Sequence, residues 1–284
     1  MRRIAKNPSW LPHEGSLVVL KQAWAHIQSV PYRVGLRWVF YRLLQAGLYG
    51  DKAGYVQLKA LLSTARKNFY SAGGMRWAYD TLSDETRDIY GHEEGADDRE
   101  AWLDVLLKNG VRCVLDKWST QPNYFEVWFE ARAMLGQFQF YTRGISLTPF
   151  GGDTSIEMKG RLANRISAMA QKYGTTPTIY YFGDADAKGN QIDKSALADI
   201  RRICEVSFNF ERVGLTVDQA VGMGVPENPD HLGAYQWEAL TDAQAGQLIG
   251  QVTDRIDKAA WSAVEAEERE VEAEVLEKLQ ELRE

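Results

Sequence analysis

Two carboxylates one residue apart end the clearest strand-like run in the chain. Gly183-Asp184-Ala185-Asp186-Ala187-Lys188-Gly189 follows the apolar stretch TPTIYYF at 176–182. In open α/β sheets, ligands bind beyond the carboxyl ends of the strands. Alternate residues of an extended turn there can aim both carboxylates to one side, where their hard oxygens suit Mg²⁺. Two buried like charges without a cation would be costly. The same residues also read as an ordinary strand-to-helix turn, with Asp as an N-cap and Gly for positive φ. A second acid, Glu130, closes the aromatic and β-branched run YFEVWFE at 124–130. At a strand end it faces the same crevice; at a helix start it would complement the helix dipole. Glu126 alternates with it, and the sequence leaves open which of the two is nearer Asp184.

Other chemistries find less support. His13, His26, His92 and His231 show no metal-binding spacing, which argues against zinc catalysis. Cys113 and Cys204 are too few for a disulfide scaffold or a four-cysteine zinc site, so a reducing cytoplasm is the expected compartment. Gly151-Gly152 with Asp153 and Ser155 reads either as a phosphate-side loop at a helix start or as a plain turn.

The elements that must position these acids follow from periodicity. From residue 123 onward, strands at 124–130, 146–152, 177–183 and 206–215 alternate with helices at about 131–138, 155–173 and 191–204. That alternation predicts a parallel sheet covered on both faces, with 177–183 central because it is apolar on both sides. Ahead of it, Leu17, Leu20, Ala23, Trp24 and Ile27 follow a helical period that Pro31 ends. A second helix spans about 34–45, and a third spans 54–69 through Val56, Leu58, Leu61, Leu62 and Ala65. Three short helices with a tight turn suit a helix-turn-helix or winged-helix module. The acidic stretch 91–100 reads as a loop, or as the start of a helix reaching Asn109. From Trp261 one amphipathic helix carries Val264, Val271, Val275, Leu279 and Leu282 at near-heptad spacing.

The 284 residues carry a net charge of -6, unevenly distributed. Residues 1–90 hold 13 Lys+Arg against 6 Asp+Glu, while 265–284 hold 9 Glu against 3 Lys+Arg. A basic N-terminal third is what a phosphate-backbone binder needs, and Arg33, Arg42, Lys59, Arg66 and Lys67 are the candidate DNA contacts on its helices. No apolar run approaches the roughly 18–20 residues of a membrane span, and none forms a secretory signal. With 45% hydrophobic residues the chain is a folded one.

A strand-end glutamate, then helix, strand and helix, then a strand ending in Asp-x-Asp, resembles a Toprim domain. That is the metal-binding fold of topoisomerases, bacterial primases and related nucleases. The resemblance covers about 122–240 and implies that Glu130, Asp184 and Asp186 bind Mg²⁺. Ala131 stands where close relatives usually have Lys, and Arg132 is the neighbouring positive charge. Arg37-Trp38-Val39-Phe40-Tyr41 is similar to the Arg-x-x-(Tyr/Phe)-Tyr motif of the topoisomerase VI A subunit and the related meiotic double-strand-break proteins. SDETR (83–87) and YQWEAL (235–240) look like segments of the family's small bacterial and phage relatives. The resemblance implies a winged-helix, CAP-like module at 1–121, Toprim at 122–250 and an acidic C-terminal helix at 251–284. It implies Tyr41 as the transesterifying nucleophile and Arg37 as the motif arginine, with Glu130 shared between catalysis and metal. Trp38 replaces the acid that usually follows the arginine. In this family the tyrosine of one subunit meets the metal of the other, so a homodimer is expected, and an ATPase subunit is an implied partner. Tyr90, in Arg-Asp-Ile-Tyr, is the second tyrosine candidate. The competing readings are a Toprim nuclease using metal-activated water, a non-catalytic DNA-binding or dimerisation subunit, and a haloacid-dehalogenase-like phosphatase. The last fits poorly, because Ala187-Lys188 follows the acids.

Overall fold

The computed structural model describes residues 10–83, 98–150, 155–186, 189–229 and 231–282, with their side chains except at Lys52 and 189–195. Tyr90, His92, Gly151-Gly152-Asp153, Ala187-Lys188 and most of SDETR lie outside the described residues.

The chain opens with helices α1 (Glu14–Gln28), α2 (Leu36–Gln45) and α3 (Lys52–Lys67). Asp51 caps α3 by accepting from the Gly54 N–H at 2.9 Å. A two-residue antiparallel pair follows, β1 (Ser71–Ala72) with β2 (Met75–Arg76), turned through Gly73 and Gly74 at positive φ. Helix α4 (Arg99–Asn109) comes next.

The second half is an α/β layer: β3 (Phe125–Phe129), α5 (Leu135–Thr142), β4 (Leu147–Pro149), α6 (Ile156–Tyr173), β5 (Thr178–Phe182), α7 (Gly189–Ile203) and β6 (Asn209–Gly214). The four strands are all parallel, in the order β4-β3-β5-β6, so the 177–183 run is an inner strand as expected. The strands are shorter than the sequence suggests at 146–152 and 206–215.

Alternation sorts the side chains. Phe125, Val127, Phe129, Tyr180 and Phe182 face one core. Trp128, Ile179 and Tyr181 face the other, against Leu162 and Ile166 of α6 and Ile200 of α7. The first core continues without a break into Leu20, Val39, Leu43 and Leu58 of the N-terminal helices. The boundary near 122 therefore does not interrupt the packing.

After β6 come α8 (Val217–Gly222), a single 3₁₀ turn at Trp237–Ala239, α9 (Asp242–Thr253) and α10 (Lys258–Glu281). Thr216 with Gln219, and Thr241 with Gln244, form capping boxes that start α8 and α9. Trp261 anchors α10 on Trp118, ring centroids 5.5 Å apart. Glu272 and Glu268 accept from the backbone N–H of Cys113 and Leu115, at 2.8 and 2.9 Å. Glu268 also pairs with Lys117. Part of the acidic tail is thus bound within the chain. Among the described residues no helix is long and apolar enough to cross a membrane.

Candidate acidic site at the carboxyl ends of the inner strands

The register of β3 on β5 builds the site. Phe129 pairs with Phe182, so Glu130 and Gly183 leave the sheet side by side. The Glu130 N–H donates to Phe182 O at 2.9 Å, and Glu130 Oε2 accepts from the Asp184 N–H at 3.0 Å. Glycine is required at 183 because a Cβ there would lie 3.0 Å from Glu130 Oε2 and 2.9 Å from the Tyr181 ring. Ala185 then pairs in both directions with Tyr235, and the Trp237 N–H donates to Asp184 Oδ1 at 2.8 Å. Arg212 of β6 donates to Asp184 O at 2.6 Å.

Segment 235–240 is therefore the floor of the crevice, and it is firmly held. The Trp237 indole N–H donates to Gln137 Oε1 at 2.9 Å, and its ring packs on Phe138 and Phe182. Gln137 in turn donates to Tyr32 Oη, which bonds Asp242 at the start of α9. From α2, Arg42 donates to Glu238 O at 2.9 Å and also to Leu240 O. Gln45 donates to Ala239 O at 2.6 Å. Helix α2 is thereby locked onto the floor, which brings Arg37 and Tyr41 to the acids.

Four carboxylates and the two guanidiniums of Arg37 and Arg212 dominate the field. Asp184 is buried, and its carboxyl is raised well above the usual carboxylate range by desolvation first, then by Glu238 and Glu130; the Trp237 N–H and Arg37 oppose this. Glu130 is raised by burial and by Asp186, against the Asp184 N–H and Arg212. Glu238 is 4% exposed. Among the described residues neither of its oxygens accepts a hydrogen bond, and Arg37 pairs with it at 3.5 Å from Nε. Burial works against the Arg37 charge, but Glu238, Tyr41 and Asp184 together hold it protonated. Tyr41 is 4% exposed, and its phenol is pushed up to about 12 by burial, with Arg37 opposing and Glu238 adding to the rise.

The crevice thus gathers Glu130, Asp184, Asp186, Arg37 and Tyr41 from the sequence-predicted set. Glu126 belongs elsewhere. It is fully buried four residues earlier on the strand, paired with Ile179 and accepting from Tyr124 Oη at 2.7 Å, Trp128 Nε1 at 3.1 Å and Arg165 Nε at 2.6 Å. Arg132 is exposed, and the positive charges at the site come from Arg37 and Arg212. Of the candidate DNA contacts, Lys59 and Lys67 are exposed on α3 and Arg66 is half-buried beside them. Exposed Arg33 donates to Asp80 O at 2.8 Å. Arg42, 6% exposed, is a structural anchor with its guanidinium committed to backbone carbonyls.

Glu238 and Arg212 are site residues that the sequence pattern does not flag. Glu238 falls within YQWEAL, a segment the resemblance marks without giving it a role, and as a lone acid flanked by Trp237, Ala239 and Leu240 it stands in an apolar setting that argues for burial.

The donor set is of the hard kind, oxygens throughout, including two buried Glu238 oxygens that accept no hydrogen bond among the described residues. Among the described residues, no group of three or more His, Cys, Asp or Glu side chains is placed so as to hold a metal ion. Comparison with protein-family models, curated proteins and solved structures returns no match.

Proposed function

We propose that the chain is a DNA-binding and DNA-cleaving protein similar to the topoisomerase VI A subunit, with a Toprim-like site for Mg²⁺. The observation that carries this reading is the convergence of two motifs distant in sequence. Arg37 and Tyr41 of α2 lie within electrostatic reach of Asp184 and Glu238, and Asp184 is bonded to Glu130, which in turn feels Asp186. The α1–α3 helices with the short β1–β2 pair support a winged-helix module, and exposed Lys59 and Lys67 on α3 suit phosphate contacts.

Glu130, Asp184 and Asp186 would hold the ion, with Glu238 behind them. When bound, Mg²⁺ supplies neutralisation of the charge developing on a phosphoryl oxygen. Arg37 orients the Tyr41 phenol and keeps a fixed positive charge beside it. Tyr41 Oη attacks the phosphorus, a P–O bond to one deoxyribose breaks, and a phosphotyrosyl link forms. The phenolic proton leaves Oη, and the departing sugar oxygen takes up a proton.

The burial of Tyr41 and its raised pKa favour a second reading, a nuclease whose nucleophile is water, with Tyr41 structural. Incubating labelled duplex with protein and Mg²⁺, then denaturing and separating, decides between them. Expected are a covalent protein–DNA adduct and its loss in Tyr41→Phe. Cleavage without an adduct, unchanged in Tyr41→Phe, supports the water nucleophile. Neither cleavage nor adduct refutes both.

A further inference from the structure

Beside the acids lies a half-open cavity of about 230 Å³ between α2, α3 and the segment leading to the crevice floor. That is below the roughly 300–1,000 Å³ typical of pockets for drug-sized ligands, and it suits a single planar ring system. Its walls are aromatic, Phe40, Tyr41 and Tyr55, with Phe40 and Tyr55 at 5.3 Å in an edge-to-face pair. Its polar lining is Arg37, Asn228 and Gln236. Gln236 is 8% exposed, and among the described residues its buried Oε1 has no hydrogen-bond partner. An amide acceptor so enclosed costs about 1–3 kcal/mol when unsatisfied. It lines a cavity open to a donor from outside.

The position of this amide ties the cavity to the acids. Tyr235 is bridged to Ala185, and the Trp237 N–H is bonded to Asp184. Gln236 sits between these two anchors, one residue from each. A ring held in the cavity would therefore belong to a group attached close to the phosphate at the acids.

We propose that this cavity takes one unstacked nucleobase of the DNA strand engaged at the acidic site. The aromatic walls supply stacking, which every base accepts. Gln236 Oε1 accepts from an N–H on the edge of the base, and the Arg37 guanidinium can donate to a base acceptor, the combination that guanine matches best. The protein thereby selects DNA in which a base can leave the stack, since unpairing costs least where a base is already unpaired. The inference rests on the DNA reading above.

The test titrates the full chain, in Mg²⁺ and at several salt concentrations, with two labelled duplexes. They are alike except that one carries a single unpaired guanine. The unpaired-base duplex should bind on the order of 10-fold tighter. Gln236→Leu and Tyr55→Ala, which lie on different elements, should each erase that preference while leaving the salt dependence intact. Circular dichroism melting identifies which variants are folded, and either folded variant suffices. Equal affinity for the two duplexes with a normal salt slope overturns the pocket and leaves the DNA reading standing. A preference that survives in a folded variant also overturns it. No binding of either duplex at low salt overturns both.

Discussion

Replacing Asp184 by Asn should stabilise the protein at neutral pH and remove its response to Mg²⁺. The substitution keeps the shape of the side chain, and an Asn Oδ1 can still accept from the Trp237 N–H that Asp184 Oδ1 now holds. The Arg212 bond is unaffected because it goes to the backbone oxygen of residue 184. What disappears is a buried charge facing Glu238 and Glu130, with attraction to Arg37 as the partial offset. Each unit by which the folded protein raises a carboxyl costs about 1.4 kcal/mol in the charged form. A gain of roughly 1–3 kcal/mol follows for Asn, or about 2–4 °C of melting temperature per kcal/mol.

The pH dependence has a definite sign. The folded-state pKa of Asp184 lies above its unfolded value near 4, so the folded state binds the proton more tightly. The native protein loses stability as pH rises from about 4 through the raised folded value, and the Asn variant does not share that loss. The two melting curves should therefore converge at low pH and separate above it. With Mg²⁺ at ten times its dissociation constant, linkage gives about 1.4 kcal/mol of added stability to the native protein and none to the variant. Thermal melting in chelator and in Mg²⁺, at acidic and neutral pH, measures both effects. An Asn variant that melts lower at neutral pH, yet keeps the Mg²⁺ shift, would refute the assignment of Asp184 as a destabilised metal ligand.

Arg42→Met should cost roughly 2–4 kcal/mol in urea denaturation, because it strands buried carbonyls at 238 and 240; an unchanged midpoint would remove Arg42 as the anchor of α2. Gly183→Ala should cost roughly 1–3 kcal/mol and weaken the Mg²⁺-dependent shift, since its Cβ would crowd Glu130 Oε2 and Tyr181; melting with and without Mg²⁺ reads both. Lys59→Glu with Lys67→Glu should weaken DNA binding alike across sequences and flatten the plot of log affinity against log salt, its slope falling by about 0.9 for each phosphate left unneutralised. Mixing Tyr41→Phe with Asp184→Asn chains tests whether tyrosine and acids act within one chain. Activity absent from the mixture supports a single-chain site, and restored activity supports the subunit-crossing arrangement.

The strand ends are legible because an apolar run that halts at acids has few other readings, and β5 with Asp184 and Asp186 lies where its sequence implies. Helix α9 is much harder to read. Its interior holds Ala243, Ala245, Gly246 and Gly250, which blur the helical period, although Thr241 and Gln244 spell a capping box at its start. The register of β3 on β5 is not readable from either strand alone. Both are mostly apolar, with Glu126 and Thr178 the exceptions, so a one-residue slip changes the pattern little. That register sets Glu130 beside Asp184, while Glu126, four residues earlier on the strand, is taken by Arg165 of α6.

The arrangement of α2 bears most directly on mechanism. The family resemblance implies a tyrosine delivered to the metal of a second subunit, which gives the expected dimer its chemical purpose. Here Arg42 and Gln45, one and four residues after Tyr41, donate to the backbone of 238–240. Trp237, at the edge of that segment, donates to Asp184. The link from α2 to the acid thus runs through hydrogen bonds inside one chain, buried at Arg42 and Trp237 and half-buried at Gln45. Carrying Tyr41 to a partner would break three of them and leave the carbonyls of 238, 239 and 240 without donors. A buried carbonyl so orphaned costs about 1–3 kcal/mol, so losing the two bonds from Arg42 alone gives the exchange a barrier of several kcal/mol. A homodimer formed along the α10 stripe would not need that exchange, since α10 packs on α4 and the 117–120 turn rather than on α2. Dimerisation and the pairing of tyrosine with acids are then separable properties of this chain.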